Sequence, residues 1–348
     1  MIDLSPEVVA ILMMGGVLLA VLIGYPFALM VGGVALVTGL LLFGFDLTSQ
    51  LFYQRIFAQL TNYILLAVPL FVFMGNLLER GGTAERAYSA LYVLFGGVRG
   101  GLAIATVVLG AILAACVGVI AASVTALTLI SLPPMIKRGY DKSLATGTVC
   151  AAGTLGILIP PSIMLVVYGP MAGVSVGHLF FGAFMPGFLL GGLYCAYIGF
   201  RCLFQPSLAS VLSAEERGKI SVKQRLIMLV TSIAPMTAII VAVLGSIFFG
   251  VASPTEGAAV GSLCVVVLAI AYRRFNLRVL RDAGISTIRT SCMVYLIIVM
   301  ASSFVGVCSL AGSSEVVTAW LLAIPGGRWG VFAFIMFILF VLGMFIDW

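Results

Sequence analysis

Charged side chains are scarce in this sequence. Lysine, arginine, aspartate and glutamate together make up 9% of the 348 residues, whereas hydrophobic residues make up 62%. Ordinary soluble domains carry about 25% charged residues, and no soluble fold of this length could cover so much apolar surface. Uncharged runs of about 20 residues, enough to cross a hydrocarbon core, recur along the whole chain. The composition predicts an all-α polytopic membrane protein.

Residues that carry catalysis or bind transition metals are also few. The chain has one histidine, His178, and seven cysteines without a CxxC pair. It contains no HExxH motif. We therefore expect neither an enzyme nor a bound cofactor. An intramembrane enzyme using His178 and a channel are the alternatives from other functional classes.

The basic residues lie in short loops between apolar runs, which is typical of the positive-inside bias and not of nucleic-acid binding. Three loops stand out, at 137–142, 216–225 and 273–282. An even number of apolar runs separates each neighbouring pair, so all three loops can face the cytoplasm. The turns at 169–173 and 253–256 then face outward, as does the N-terminus. The run at 8–24 lacks a basic flank, which favours a membrane helix over a signal peptide.

The motif "SPTE" at 253–256 predicts the start of a helix. Ser253 can cap the first turn, Pro254 suits the first helical position, and the Glu256 side chain can reach back to the backbone of Ser253. A structural role for Glu256 is thus favoured over a role in substrate binding.

The segment from Gly100 to Pro134 carries no charge and is too long for one membrane helix. Both of its ends, at Arg99 and Lys137, are expected in the cytoplasm. The segment must therefore form two helices that turn near 116–123, where Gly118 permits a tight turn. The two helices form either a full spanning pair or a re-entrant hairpin.

The stretch "GTLGILIPPSIMLVVYG" at 153–169 places two prolines in the middle of an apolar run. Pro160 and Pro161 lack N–H groups, so the carbonyls of Gly156 and Ile157 lose their helical donors, and Ile159 is driven out of helical geometry. Free carbonyls can bind a cation such as Na⁺, and the half-helix that restarts near Ser162 can favour an anionic substrate. A purely structural kink is the alternative.

Two segments indicate an internal repeat. "ERGGTAERAYSAL" at 79–91 and "SLAGSSEVVTAWL" at 309–321 align with a constant offset of 230 residues between Gly82 and Gly312. The offset predicts that a second hairpin begins near the last residues, and hence that the second repeat is truncated. Asp347 is a candidate substrate residue because ionisable groups inside membranes are commonly functional.

The block "ISLPPMIKRGYDKSLATGTVCAAGTLGILIPPSIMLVVYG" at 130–169 resembles the large permease subunit of tripartite ATP-independent periplasmic (TRAP) transporters, the DctM-like family. The segments at 67–82, 253–261 and 342–347 resemble other family blocks in the same order. The resemblance implies a multi-pass transporter of the bacterial inner membrane. It would be an inverted-repeat elevator with re-entrant hairpins and broken helices, driven by Na⁺ as the coupling ion.

The resemblance also implies a set of partners. These are a periplasmic solute-binding protein, a small four-helix membrane subunit, the membrane lipid and an organic anion, commonly a carboxylate. A stand-alone Na⁺/dicarboxylate symporter of related hairpin architecture is the rival interpretation.

Carried over from the family, one cation site forms between the hairpin tip and the broken helix. The tip reads "VGVI" at 117–120, where many members have "SGSS", so most hydroxyl ligands are missing. The resemblance assigns the following residues to the Na⁺ site, mostly through backbone oxygens: Val117, Gly118, Ser123, Gly156, Ile159 and Pro161.

These observations divide the chain into four segments. They are N-terminal scaffold helices at 1–62, a first repeat at 63–200, connecting helices and loops at 201–290, and the start of a second repeat at 291–348. The first repeat contains the hairpin at 100–135 and the broken helix at 143–168.

Overall fold

The computed structural model describes residues 4–117, 120–210 and 222–344, and over these ranges the chain forms helices and turns without a strand. Short 3₁₀ turns lie at Tyr63–Leu66 and Pro206–Leu208. The α-helices are α1 Pro6–Ile23, α2 Phe27–Leu60, α3 Ala67–Arg80, α4 Thr83–Phe95, α5 Gly101–Val117, α6 Ile120–Lys137, α7 Lys142–Leu158, α8 Ile163–Ala172, α9 Val176–Phe204, α10 Val222–Phe248, α11 Pro254–Ala271, α12 Leu277–Leu310, α13 Ser313–Leu322 and α14 Gly327–Leu342.

Seven helical segments of the described chain are long and apolar enough to cross a membrane, counting α7 and α8 as one segment. Many large apolar side chains on them are exposed, as on α9, where Phe181 is 71% and Phe204 82% exposed. Such surfaces suit contact with lipid, which is as apolar as the side chains themselves. The prediction of an all-α polytopic membrane protein is confirmed.

Two helices are longer than their apolar runs. The run at 26–44 continues as α2 to Leu60, with a kink at Gly44, where φ is 76°. The run at 291–308 begins earlier, because α12 starts at Leu277 and includes the charged stretch before it. The end of the run at 26–44 coincides with the non-helical backbone at Gly44. The charge before residue 291 marks where α12 leaves apolar surroundings, not where its hydrogen bonding begins.

The chain forms two compact units. One contains residues 1–62 and 292–348, and its core is built around Val9, Met13, Ala35 and Val307. The other contains residues 63–291, and here α5 and α6 pack against α7, while α3 packs against α11. The second unit holds both the predicted hairpin and the predicted broken helix.

A buried polar network joins α3 to α12 within the second unit. The amide nitrogen of Asn76 donates to the hydroxyl of Thr287 at 3.4 Å, and the hydroxyl of Ser286 donates to the amide oxygen of Asn76 at 3.0 Å. Hydrogen bonds between polar side chains of apolar helices fix the register of the pair.

The helix start predicted at "SPTE" is confirmed. The backbone N–H of Glu256 donates to the Ser253 hydroxyl, and the Glu256 carboxylate accepts from the backbone N–H of Ser253 at 2.7 Å. Both halves of the capping box are therefore present, and the carboxylate of Glu256 has a structural task.

The two segments of the predicted repeat have the same local structure. Gly82 and Gly312 both lie in the left-handed region, with φ of 67° and 71°, directly before the first residues of α4 and α13. Glycine adopts this conformation without the Cβ clash that other residues meet. Both copies place a buried hydroxyl residue, Thr83 or Ser313, at the first helical position.

Candidate functional site

The apolar run with the two prolines is broken, as its sequence predicts. Helix α7 ends at Leu158 and α8 begins at Ile163, and Ile159 between them is extended, with φ −82° and ψ 120°. The predicted break was placed slightly too early, because Gly156 and Ile157 are still helical. The missing N–H of a proline frees the carbonyl four residues earlier without unwinding that residue, and Ile159 itself still donates to Leu155 at 2.9 Å.

The two carbonyls freed by the prolines differ in their surroundings. The carbonyl of Ile157 accepts a hydrogen bond from the Ser162 hydroxyl at 2.7 Å. The carbonyl of Gly156 loses its helical donor, because residue 160 is proline. A carbonyl oxygen has two lone pairs, so both oxygens keep capacity to bind a cation.

Ser162 lies at the N-terminal end of α8 and is fully buried, yet its side chain does not cap that helix. Its hydroxyl is turned back toward α7. The first amides of α8 consequently have no side-chain acceptor from the cap position, and they form the electropositive end of the helix dipole.

The break lies inside the protein. Ile159, Pro160, Pro161 and Ser162 are all buried. Ile159 lies against Gly187 of α9. A Cβ added to Gly187 would lie 2.8 Å from Cγ1 of Ile159. Non-helical backbone at membrane depth is stable only where protein or a wet cavity surrounds it, and this packing supplies the protein.

The two arms of the predicted hairpin, α5 and α6, flank α7 on two sides. On the α5 side, a Cβ added to Gly110 would lie 2.7 Å from the Cβ of Ala152. On the α6 side, a Cβ added to Gly153 would overlap the side chain of Val124. Glycines at both contacts thus let the arms approach the α7 backbone closely. These glycines were not singled out from the sequence, because small residues in apolar helices are too common to indicate one particular contact.

Ser123 lies one residue before Val124, in the first turn of α6. Its side chain is 1% exposed, and its hydroxyl has no hydrogen-bond partner among the described residues. Burying a hydroxyl without a partner costs free energy, so an unpaired group at this place is a candidate ligand atom.

The remaining predicted site residues lie in different parts of the chain. Val117 is the last residue of α5. Gly118 and Asp347 lie outside the described residues, so the positions of the hairpin tip and of this second substrate candidate stay predictions. His178 is exposed on α9.

The described part of the site offers only neutral oxygen ligands. Throughout the described ranges, no group of three His, Cys, Asp or Glu side chains could hold a metal ion. Carbonyl and hydroxyl oxygens are hard ligands that suit alkali and alkaline-earth cations and not soft transition metals.

Comparison with known proteins gives a consistent family. Residues 13–348 match the family model described as "Tripartite ATP-independent periplasmic transporter, DctM component". The chain is 32% identical over 298 residues to the C4-dicarboxylate TRAP transporter large permease protein DctM of Pseudomonas aeruginosa, covering 84% of this chain and 67% of that protein. It is 39% identical over 204 residues to the protein of the same name from Vibrio cholerae, covering 58% and 43% of the two chains.

A third relative is the isethionate TRAP transporter permease protein DctMQ of Oleidesulfovibrio alaskensis. It is 28% identical over 335 residues, which cover 94% of this chain and 51% of that protein. The alignments thus cover between 43% and 67% of the lengths of these three relatives.

Proposed function

Because the chain belongs to the DctM family of TRAP transporters, we propose that it is the large permease of a transporter that couples Na⁺ entry to the uptake of an organic anion. The substrate class we favour is a carboxylate. A periplasmic solute-binding protein delivers the anion, and a small four-helix membrane subunit completes the transporter in the bacterial inner membrane. We expect no enzymatic activity and no cofactor besides the coupling ion.

The single observation that carries this proposal is the buried break at 159–162, at the end of α7, a helix that packs against α6 with its unpaired Ser123 hydroxyl. Discontinuous helices with free carbonyls and exposed amide ends form ion and substrate sites in many secondary transporters. A purely structural kink would not need the buried, unpaired hydroxyl of Ser123 on the helix packed against α7.

Each part of this arrangement has a chemical role in the proposal. The carbonyl oxygens of Gly156 and Ile159, with those near Pro161, bind Na⁺ from the side of the break. Ser123 and the backbone at Val117 and Gly118 bind it from the side of the hairpin. The amide end of α8 at Ser162 attracts the carboxylate of the substrate.

The names of the relatives support an organic anion as substrate without fixing the compound or its acidic group. Two of them are named for C4-dicarboxylates and one for isethionate. The third name, DctMQ, designates a single permease protein, which agrees with a close association between the large and small membrane subunits.

The proposal is tested by uptake into proteoliposomes that contain the full-length protein and the small membrane subunit. Labelled succinate and labelled isethionate serve as substrate probes. We expect uptake only with an inward Na⁺ gradient and with the cognate periplasmic binding protein added outside. Uptake of a C4-dicarboxylate without any binding protein would instead support the stand-alone symporter, and uptake that ignores the Na⁺ gradient would refute the coupling.

A further inference from the structure

A wide crevice opens between α4, α6 and the start of α10, away from the helix break. Its volume is about 1070 Å³, and it lies within the unit formed by residues 63–291. The lining residues are Tyr88, Ser89, Tyr92, Val93, Leu129, Ile130, Pro133, Pro134, Lys137, Arg138, Ser210 and Met228. None of them belongs to the proposed Na⁺ site.

One end of the crevice is basic and hydroxylated. Lys137 is exposed at the last residue of α6, and the guanidinium of Arg138 lies 5.3 Å from the centre of the Tyr92 ring. The backbone at Arg138 is held by the Ser210 hydroxyl, which donates to its carbonyl oxygen. Two cations at one end of a cavity suit an anion with several oxygens, such as a phosphodiester.

Away from this end, most of the crevice wall along α6 is apolar. Val93, Ile130, Pro133 and Met228 line it, and Leu129 is 74% exposed. A ligand that fills the whole crevice must therefore have an anionic end and an apolar body. The volume exceeds that of most metabolite pockets, which are about 300–1,000 Å³.

We propose that this crevice binds an anionic phospholipid. The phosphodiester contacts Lys137 and Arg138, and an acyl chain lies along the apolar wall. Basic pockets between membrane helices on the cytoplasmic side commonly bind anionic lipid headgroups, and the loop that holds Lys137 is predicted on that side.

The test is native mass spectrometry of the detergent-solubilised full chain. The probes are dioleoyl-phosphatidylglycerol, dioleoyl-phosphatidylcholine and soluble glycerol 1-phosphate. We expect bound phosphatidylglycerol, little phosphatidylcholine, and no displacement by millimolar glycerol phosphate. Equal binding of phosphatidylcholine would refute anion recognition. Binding of glycerol phosphate as strong as that of the lipid would refute a lipid site and leave a soluble phosphate site.

The variant Lys137→Gln/Arg138→Gln removes both charges and should weaken phosphatidylglycerol binding about tenfold or more, since each basic residue near an anionic lipid contributes substantially. Arg278→Gln/Arg281→Gln removes two exposed charges from α12, outside the crevice, and should change binding less than about twofold. Lys137→Gln alone alters only an exposed side chain, so it keeps the test valid if the double variant folds poorly. Parental binding by Lys137→Gln and by the double variant would overturn the proposal.

Discussion

The hydroxyl of Ser162 donates a hydrogen bond to the carbonyl oxygen of Ile157, 2.7 Å away, across the break between α7 and α8. This bond replaces the backbone donor that Pro161 cannot supply. The single hydroxyl proton of Ser162 is therefore occupied within the protein in this conformation. In the proposed anion site, the donors would be the first amides of α8 and not this hydroxyl.

Replacing Ser162 by alanine should destabilise the protein, because it leaves a carbonyl in buried surroundings without its donor. We expect a loss of about 1–3 kcal/mol in the free energy of unfolding, measured by thermal or denaturant melts in detergent. Ser143→Ala, at an exposed hydroxyl in the first turn of α7, is the matched control and should be close to neutral. Equal stability of the two variants would show that the hydrogen bond from Ser162 to Ile157 does not contribute to the free energy of unfolding.

A change at the helix break should weaken the Na⁺ dependence of transport more than removal of the Ser123 hydroxyl does. Pro161→Ala returns an N–H that can donate to Ile157, favours helix and withdraws a carbonyl from the site. We expect it to raise the Na⁺ concentration for half-maximal uptake about tenfold or more, and Ser123→Ala to raise it a few-fold, if each ligand contributes roughly 1–2 kcal/mol. Uptake measured across a Na⁺ titration checks both, with Ser143→Ala as control. A Pro161→Ala protein with the parental Na⁺ response would show that the break is only a kink.

The close contact between α6 and α7 gives a prediction with an internal control. Gly153→Ala places a methyl group against Val124 and should cost about 1–3 kcal/mol of stability. Gly147→Ala lies on the same helix, with nothing within 4 Å of the new Cβ. It should be neutral or stabilising by about 0.5–1 kcal/mol. The stabilities are compared by thermal melting of both variants. A Gly153→Ala protein as stable as Gly147→Ala would contradict the tight packing between α6 and α7.

The predicted topology places Lys137, Lys223 and Arg274 in the cytoplasm. Single cysteines at these positions, in a background without the seven native cysteines, should resist a membrane-impermeant thiol reagent added from outside. A cysteine at Ala172, in the turn predicted to face outward, is the positive control. Strong labelling at any of the three cytoplasmic positions would contradict the predicted topology, in which an even number of membrane crossings separates these loops.

Tyr140 leads to a prediction for how the stability of the protein changes with pH. Its hydroxyl accepts a hydrogen bond from the backbone N–H of Leu102 at 3.3 Å, and burial raises the pKa of Tyr140 to about 12. The folded state thus favours the neutral phenol. Its contribution to stability is fully present below about pH 10, the pKa of an unfolded tyrosine, and is lost as the pH rises through the folded pKa. Melting temperatures between pH 8 and 11 should fall more steeply for the parent than for Tyr140→Phe. Parallel profiles would count against this assignment.

The sequence predicted those features of the fold that follow from one local rule. A missing N–H at Pro160 and Pro161 breaks a helix, and the serine and glutamate of "SPTE" cap one. Pro133 and Pro134 do not break α6, which runs through them to Lys137. A missing N–H is therefore not sufficient by itself to predict a break. The two carbonyls that lose their donors belong to Leu129 and Ile130, which line an open crevice.

Other features depend on which surfaces meet, and a single sequence does not contain that information. The bond from Ser162 to Ile157 requires the break to fold back on itself. The unpaired hydroxyl of Ser123 becomes notable only once its burial beside α7 is known. Likewise, Gly110 and Gly153 are contact points only because α5 and α6 approach α7 from two sides.

The close approach at these two glycines bears on how an ion at the proposed site would be released. Helices α5, α6 and α7 contact one another through backbone and small side chains, so separating them would open voids in a tightly packed layer. If the proposed site holds an ion between α6 and the break, release of that ion by separating these helices would be costly. The ion would instead move together with the three helices and leave where they reach water.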